Sequence, residues 1–97
     1  MTQSEQIKIT LNSSLPELRK KYPIKSIGLF GSYVRGEQKK RSDVDILVDF
    51  DETISLFKFV DLETELSDIL GRKVDLVMKS ALKPKIGERI LEELAYI

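Results

Sequence analysis

The stretch LFGSYVRGEQKKRSDVDILVDF, Leu29–Phe50, decides the reading of the whole chain. The apolar run Ser26–Phe30 (SIGLF) predicts a buried strand that stops at Gly31. A short helix is expected from Ser32, ending near Gly36, and Glu37–Arg41 forms a charged loop. Asp43–Phe50 (DVDILVDF) alternates polar and apolar residues and predicts a second strand. Side chains two apart on a strand share a face, so Asp43 and Asp45 project together while Val44, Ile46 and Val48 enter the core. Two adjacent carboxylates repel each other unless a cation lies between them. At the start of a strand they face the rim of the sheet, an arrangement that suits a hard divalent ion shared with substrate phosphates.

Working outward, residues 4–22 have helical spacing, with Ile7, Leu11, Leu15 and Leu18 on one stripe. Pro16 either kinks this helix or starts a second one, because proline is tolerated in a first turn. Tyr22-Pro23 ends the segment. Ser55–Leu70 predicts an amphipathic helix with Leu56, Phe59, Val60, Leu66, Ile69 and Leu70 on one side and Gly71 as its cap. Lys73–Met78 (KVDLVM) is a third strand carrying Asp75. A last helix runs from Pro84 or Lys85 to Ile97, with Ile86, Ile90, Leu94 and Ile97 on one stripe. The order α-β-α-β-α-β-α implies an α/β or α+β domain whose small sheet is covered by helices on at least one face.

Composition narrows the chemistry. The 97 residues imply one domain, residues 1–97, and the 41% hydrophobic and 33% charged content is that of a globular chain. Sixteen basic residues balance sixteen acidic ones. That balance, with three tyrosines, four phenylalanines and no stacking pattern, argues against direct nucleic-acid binding. With no cysteine and no histidine, disulfides, zinc sites and histidine bases are excluded. Any metal chemistry must use oxygen ligands, which favours Mg²⁺ or Mn²⁺. No signal peptide and no run of 18 apolar residues is visible, so a cytoplasmic protein without a membrane segment is expected.

Gly31 marks the turn from strand to helix, where glycine lets a ligand approach the backbone. Ser32 can cap the short helix and contact a phosphate, and Arg35 lies three residues on, on the same side. If the third strand pairs beside the second, Asp75 approaches Asp43 and Asp45, and three carboxylates can hold two metals roughly 3.5–4 Å apart. Taken singly, each element has a plainer reading: a solvated pair of strand-end aspartates, or a serine-capped turn. Together, a phosphate cradle eleven residues before a DxD and a third Asp in the next strand are what nucleoside-triphosphate chemistry needs. Lys39-Lys40-Arg41 and the later Lys79, Lys83, Lys85 and Arg89 read as solvated surface, and Tyr33 and Tyr96 as surface tyrosines.

Gly31-Ser32, Arg35-Gly36, Ser42-Asp43-Val44-Asp45 and Val74-Asp75-Leu76-Val77 resemble the signature GSxxRGxxxxxSDxDxxV…VDLV of minimal nucleotidyltransferase (MNT) domains, in the DNA polymerase β-like nucleotidyltransferase superfamily. The likeness covers nearly the whole chain. It implies an α+β fold, a small mixed sheet with helices packed against it. By position, it implies that Asp43, Asp45 and Asp75 bind two Mg²⁺ ions, with Asp75 helping to activate the attacking hydroxyl. Gly31 and Ser32, with Arg35 and Ser42 of the same motif, would bind ATP. Many such proteins are antitoxins of a HEPN-domain ribonuclease toxin, so the implied reaction transfers AMP from ATP to a tyrosine hydroxyl of that partner, with which the chain would form an oligomer. Gly87 departs from the resemblance, standing where a bulkier, often basic residue is expected, and would weaken the last helix or a partner contact.

Two other readings compete. In one, the protein neutralises the toxin by binding alone, although a pure binder has no physical need for three clustered charges. In the other, the acceptor is a small-molecule hydroxyl, which the lack of an acceptor-binding domain disfavours.

Overall fold

The computed structural model describes residues 2–97. The chain forms α1 (Gln3–Lys21), β1 (Ile24–Phe30), α2 (Ser32–Arg35), β2 (Val44–Phe50), α3 (Leu56–Leu70), β3 (Val74–Met78), a 3-10 turn (Lys79–Ala81), α4 (Pro84–Glu93) and β4 (Ala95–Tyr96). The four strands make one sheet in the order β3-β2-β1-β4. β1 runs antiparallel to β2 and to β4, whereas β2 and β3 are parallel. The sheet is therefore mixed and the fold α+β, as the motif resemblance implies.

The helices begin and end for local reasons. Thr2 caps α1 by accepting the Glu5 N–H at 3.1 Å. Pro16 sits inside α1 without dividing it: one helix runs through. The carbonyl that Pro16 leaves without a donor belongs to Asn12, on the exposed side of the helix, where water can serve it. Ser55 caps α3 through the Lys58 N–H at 3.2 Å, and Gly71 closes it in the left-handed conformation.

The core lies on one face of the sheet. Ile7, Leu11, Leu15 and Leu18 of α1 and Leu62 and Leu66 of α3 pack against Ile27 and Leu29 of β1, Val44, Ile46 and Val48 of β2, and Val74 and Leu76 of β3. Because β2 and β3 are parallel, a crossover must join them, and α3 supplies it on this face. Phe30, Asp45 and Asp75 point to the opposite face, where α4 gives partial cover.

Two sequence expectations are corrected here. On α3, Phe59, Leu66, Ile69 and Leu70 of the expected stripe do pack on the core, but Leu62 joins them, while Leu56 is 74% exposed and Val60 is 48% exposed. Apolar residues run round so much of α3 that their spacing alone does not select the inward face. The last helix also does not reach Ile97. It ends at Glu93, and Ala95–Tyr96 pair with Leu29 and Gly28 as a fourth strand. Leu94 packs on the bare backbone of Gly28, where an added Cβ would lie 2.7 Å from Leu94 Cδ1. Gly87 likewise has a packing reason: it is buried, and a Cβ there would lie 3.3 Å from Leu82 Cβ. Among the described residues, no helix is long and apolar enough to cross a membrane.

Candidate functional site

The chemistry-bearing residues gather where β1 ends and β2 and β3 begin. β1 delivers Gly31 at its C-terminal end, with φ +80° and ψ −152°. That region of backbone space is essentially restricted to glycine. The side chain of Asp45 explains the second constraint. A Cβ on Gly31 would overlap Asp45 Oδ2 and lie 2.9 Å from its Cγ. The carboxylate thus rests directly over a backbone that has no side chain to block it. Gly31 is also the N-cap of α2, and its carbonyl accepts from Val34 N and Arg35 N, both at 3.1 Å. Ser32 is accordingly the first residue of α2 rather than its cap, and no hydrogen bond of its hydroxyl supports the cap.

Asp45 and Asp75 are register partners in the parallel β2–β3 ladder, so their side chains project from one face on neighbouring strands about 4.8 Å apart. Asp43 immediately precedes β2, and its Oδ2 lies 3.9 Å from Lys73 Nζ. The parallel pairing is what brings Asp75 to the DxD. Burial, followed by the like charges of Asp75 and Asp43, pushes the Asp45 carboxyl above its ordinary value of 3.8. Arg35 opposes this and Glu93 adds to it.

Among the described residues, no three acidic groups converge into a ready-made metal cage. Two neighbouring carboxylates with a third beside them fit instead a hard cation that draws its remaining oxygens from substrate phosphates, the usual mode for Mg²⁺. An open cavity of about 520 Å³ adjoins these groups, walled by Gly31, Arg35 and Asp45 on one side and Ile86, Arg89 and Glu93 of α4 on the other. Its size is that of a small-molecule site.

Supporting contacts come from Ser42 of the motif and from Tyr33, Arg72, Glu63 and Ser67, which the motif does not specify. Tyr33 is buried, not on the surface, and its hydroxyl donates to the Ser42 carbonyl at 3.4 Å while accepting from Arg72 Nη1 at 3.2 Å. Ser42 Oγ accepts the Lys39 N–H at 2.7 Å and closes the loop before Asp43. Ser42 therefore holds the loop that presents Asp43. On the outer edge of β3, Ser67 Oγ accepts from Val74 N at 3.0 Å and Glu63 Oε2 accepts from Leu76 N at 2.9 Å. These two α3 side chains fix the backbone on both sides of Asp75.

Glu93, at the end of α4, is the group that sequence reasoning missed entirely. Its Oε1 accepts the Gly31 N–H at 2.9 Å, and Arg35 Nη1 donates to both of its oxygens, at 3.2 and 3.0 Å. Nothing in the local sequence GERILEELAYI distinguishes it from Glu88 or Glu92.

Asp45 of β2 thus lies over the Gly31 turn, with Asp43 just before the strand and Asp75 beside it on the parallel neighbour. Residues 11–97 match the nucleotidyltransferase domain family, and the chain belongs to it. Within the family, the protein adenylyltransferase MntA of Thermococcus cleftensis is 53% identical over 93 residues, covering 96% of this chain and 94% of the relative. A solved structure assigned as a minimal nucleotidyltransferase superposes with a TM-score of 0.81 at 30% identity, over 98% of this chain and 95% of that one. A toxin–antitoxin crystal structure with AMP-PNP contains a chain that matches with a TM-score of 0.70 at 26% identity, over 96% of this chain and 70% of that one.

Proposed function

We propose that this protein is a Mg²⁺-dependent adenylyltransferase that moves AMP from ATP to a tyrosine hydroxyl of a HEPN-domain ribonuclease toxin, acting as its antitoxin. The observation that carries the reading is the Asp45–Asp75 register pair, with Asp45 seated over Gly31. The name of the Thermococcus relative and the toxin–antitoxin neighbour with AMP-PNP support the choice of protein acceptor and nucleotide. The motif resemblance supports the HEPN partner and the tyrosine.

In this reading, the triphosphate lies against Gly31 and Ser32, with Arg35 and the Ser42 loop at its flank. Asp43, Asp45 and Asp75 would hold Mg²⁺, two ions in the full site, which would supply neutralisation of phosphate charge and stabilisation of the attacking and leaving oxygens. The acceptor oxygen attacks the α-phosphorus in line, a new P–O bond forms, the bond to the β-phosphate bridge breaks, and pyrophosphate leaves. Asp75, on the edge strand, takes the hydroxyl proton. The protein's work is positioning and charge neutralisation.

Intact-mass spectrometry of the HEPN partner, incubated with this protein, ATP and Mg²⁺, tests the reading. AMP-sized additions with wild type, absent with Asp43→Asn/Asp45→Asn, are expected. A partner that forms a tight complex yet stays unmodified would overturn the catalytic assignment in favour of neutralisation by binding.

A further inference from the structure

The Glu93 carboxylate takes one backbone N–H and two contacts from a guanidinium, the donor set an anion recognises at a phosphate site. Those are the donors of the motif itself, Gly31 and Arg35. A single N–H cannot serve Glu93 and a phosphate oxygen at once. We infer that Glu93 is an internal stand-in for phosphate: in the nucleotide-free protein it fills the donor set that ATP takes, and ATP binds by displacing it. This rests on the nucleotide reading above and adds to it the residue that sets nucleotide affinity.

The surroundings are built for such an exchange. Glu93 and Arg35 are 25% and 46% exposed, so their ion pair is screened and costs little to open. The backbone behind Glu93 stays put, because Leu94 packs on Gly28 and Ala95–Tyr96 are paired with β1. Only the side chain swings. Arg89 precedes Glu93 by four residues, on the same face of α4, and lines the same cavity. It forms no ion pair among the described residues. It receives the carboxylate that the triphosphate expels, while Arg35 passes to the phosphates.

Calorimetric titration with AMP-PNP and Mg²⁺ tests this on wild type, Glu93→Gln and Glu93→Asp. Glu93→Gln is expected to bind roughly three- to tenfold more tightly than wild type, since the competing charge is gone. Glu93→Asp keeps the charge but withdraws it by one methylene, and tightens binding to a smaller degree. Arg89→Gln weakens binding in the wild-type background and has no effect in the Glu93→Gln background. A Kd unchanged or raised in both Glu93 variants, with wild type binding normally, overturns the stand-in role and leaves the nucleotide reading intact. Equal losses from Arg89→Gln in both backgrounds remove Arg89 as the receiver. Absence of binding by all the proteins overturns the stand-in role and the nucleotide reading together. The Gly31 amide resonance gives a second readout. It is expected to shift on Glu93→Gln substitution alone, and to shift in wild type over the same AMP-PNP range that calorimetry reports. A resonance that AMP-PNP leaves unmoved while calorimetry records binding overturns the displacement.

Discussion

Gly31→Ala strikes the site at its tightest point. The backbone at φ +80° and ψ −152° costs an alanine about 1–3 kcal/mol. The new methyl would also overlap Asp45 Oδ2 and lie 2.9 Å from Asp45 Cγ and 3.1 Å from Asp45 Cβ. Driving the Asp45 side chain off its rotamer adds about 0.5–1.5 kcal/mol. The expected loss is therefore about 1.5–4.5 kcal/mol, or roughly 6–36 °C in Tm for a domain of this size. Misplacing a ligand carboxylate by even 1 Å is expected to reduce adenylyl transfer by about 10²-fold. Urea denaturation followed by circular dichroism measures the stability, and mass spectrometry of the acceptor measures the transfer. Gly36→Ala is the control. It also has a positive φ, +72°, but nothing lies within 4 Å of an added Cβ, so about 1 kcal/mol is expected. In the double variant Gly31→Ala/Asp45→Ala the Oδ2 and Cγ contacts disappear while the backbone cost and the 3.1 Å contact with Cβ stay, so the glycine substitution should cost about 0.5–1.5 kcal/mol less there than in the wild-type background, with Asp45→Ala as the reference. A Gly31→Ala protein within about 0.5 kcal/mol of wild type would refute the geometric argument. So would a double variant that recovers nothing, since the collision with Asp45 would then contribute no energy.

Asp45→Asn should make the metal-free protein more stable at neutral pH. Asp45 binds its proton more tightly folded than unfolded, so its penalty is absent below the ordinary 3.8, grows as pH rises through the folded value, and is fully present at neutrality. The stability gap between variant and wild type, followed by thermal melts across pH, should close on acidification, and Mg²⁺ should narrow it at pH 7 by stabilising wild type alone. Tyr33→Phe removes the hydroxyl between Arg72 and the Ser42 carbonyl; about 1 kcal/mol of stability should go, with a larger loss of transfer as the Asp43 loop loosens, and an unaltered kcat would remove Tyr33 from the site's support. Leu62→Ala should cost about 2–5 kcal/mol because Leu62 is fully buried, whereas Phe57→Ser on the same helix, 83% exposed, should stay within about 0.5 kcal/mol; urea melts of both variants check the orientation of α3.

Much of this protein is determined by its sequence alone. The strands β1, β2 and β3, the long helices α1 and α3, the inward set Val44, Ile46 and Val48, and the motif residues Gly31, Asp43, Asp45 and Asp75 are all local signals: alternation, spacing, and glycine where the chain must turn. Local signals survive because strand and helix periodicities are properties of a few consecutive residues. The tertiary structure decided the rest. The inward face of α3 depends on which side meets the sheet, so Leu62 became core and Leu56 did not. Ala95–Tyr96 became a strand because β1 had an open edge beside Gly28, where Leu94 could lie against bare backbone. Tyr33 turned inward because Arg72 and Ser42 meet its hydroxyl there. Glu93 reached Gly31 and Arg35 from about sixty residues away in the chain, a contact that no periodicity encodes. A side chain's partner across the fold is set by how the elements pack, and that is written only in three dimensions.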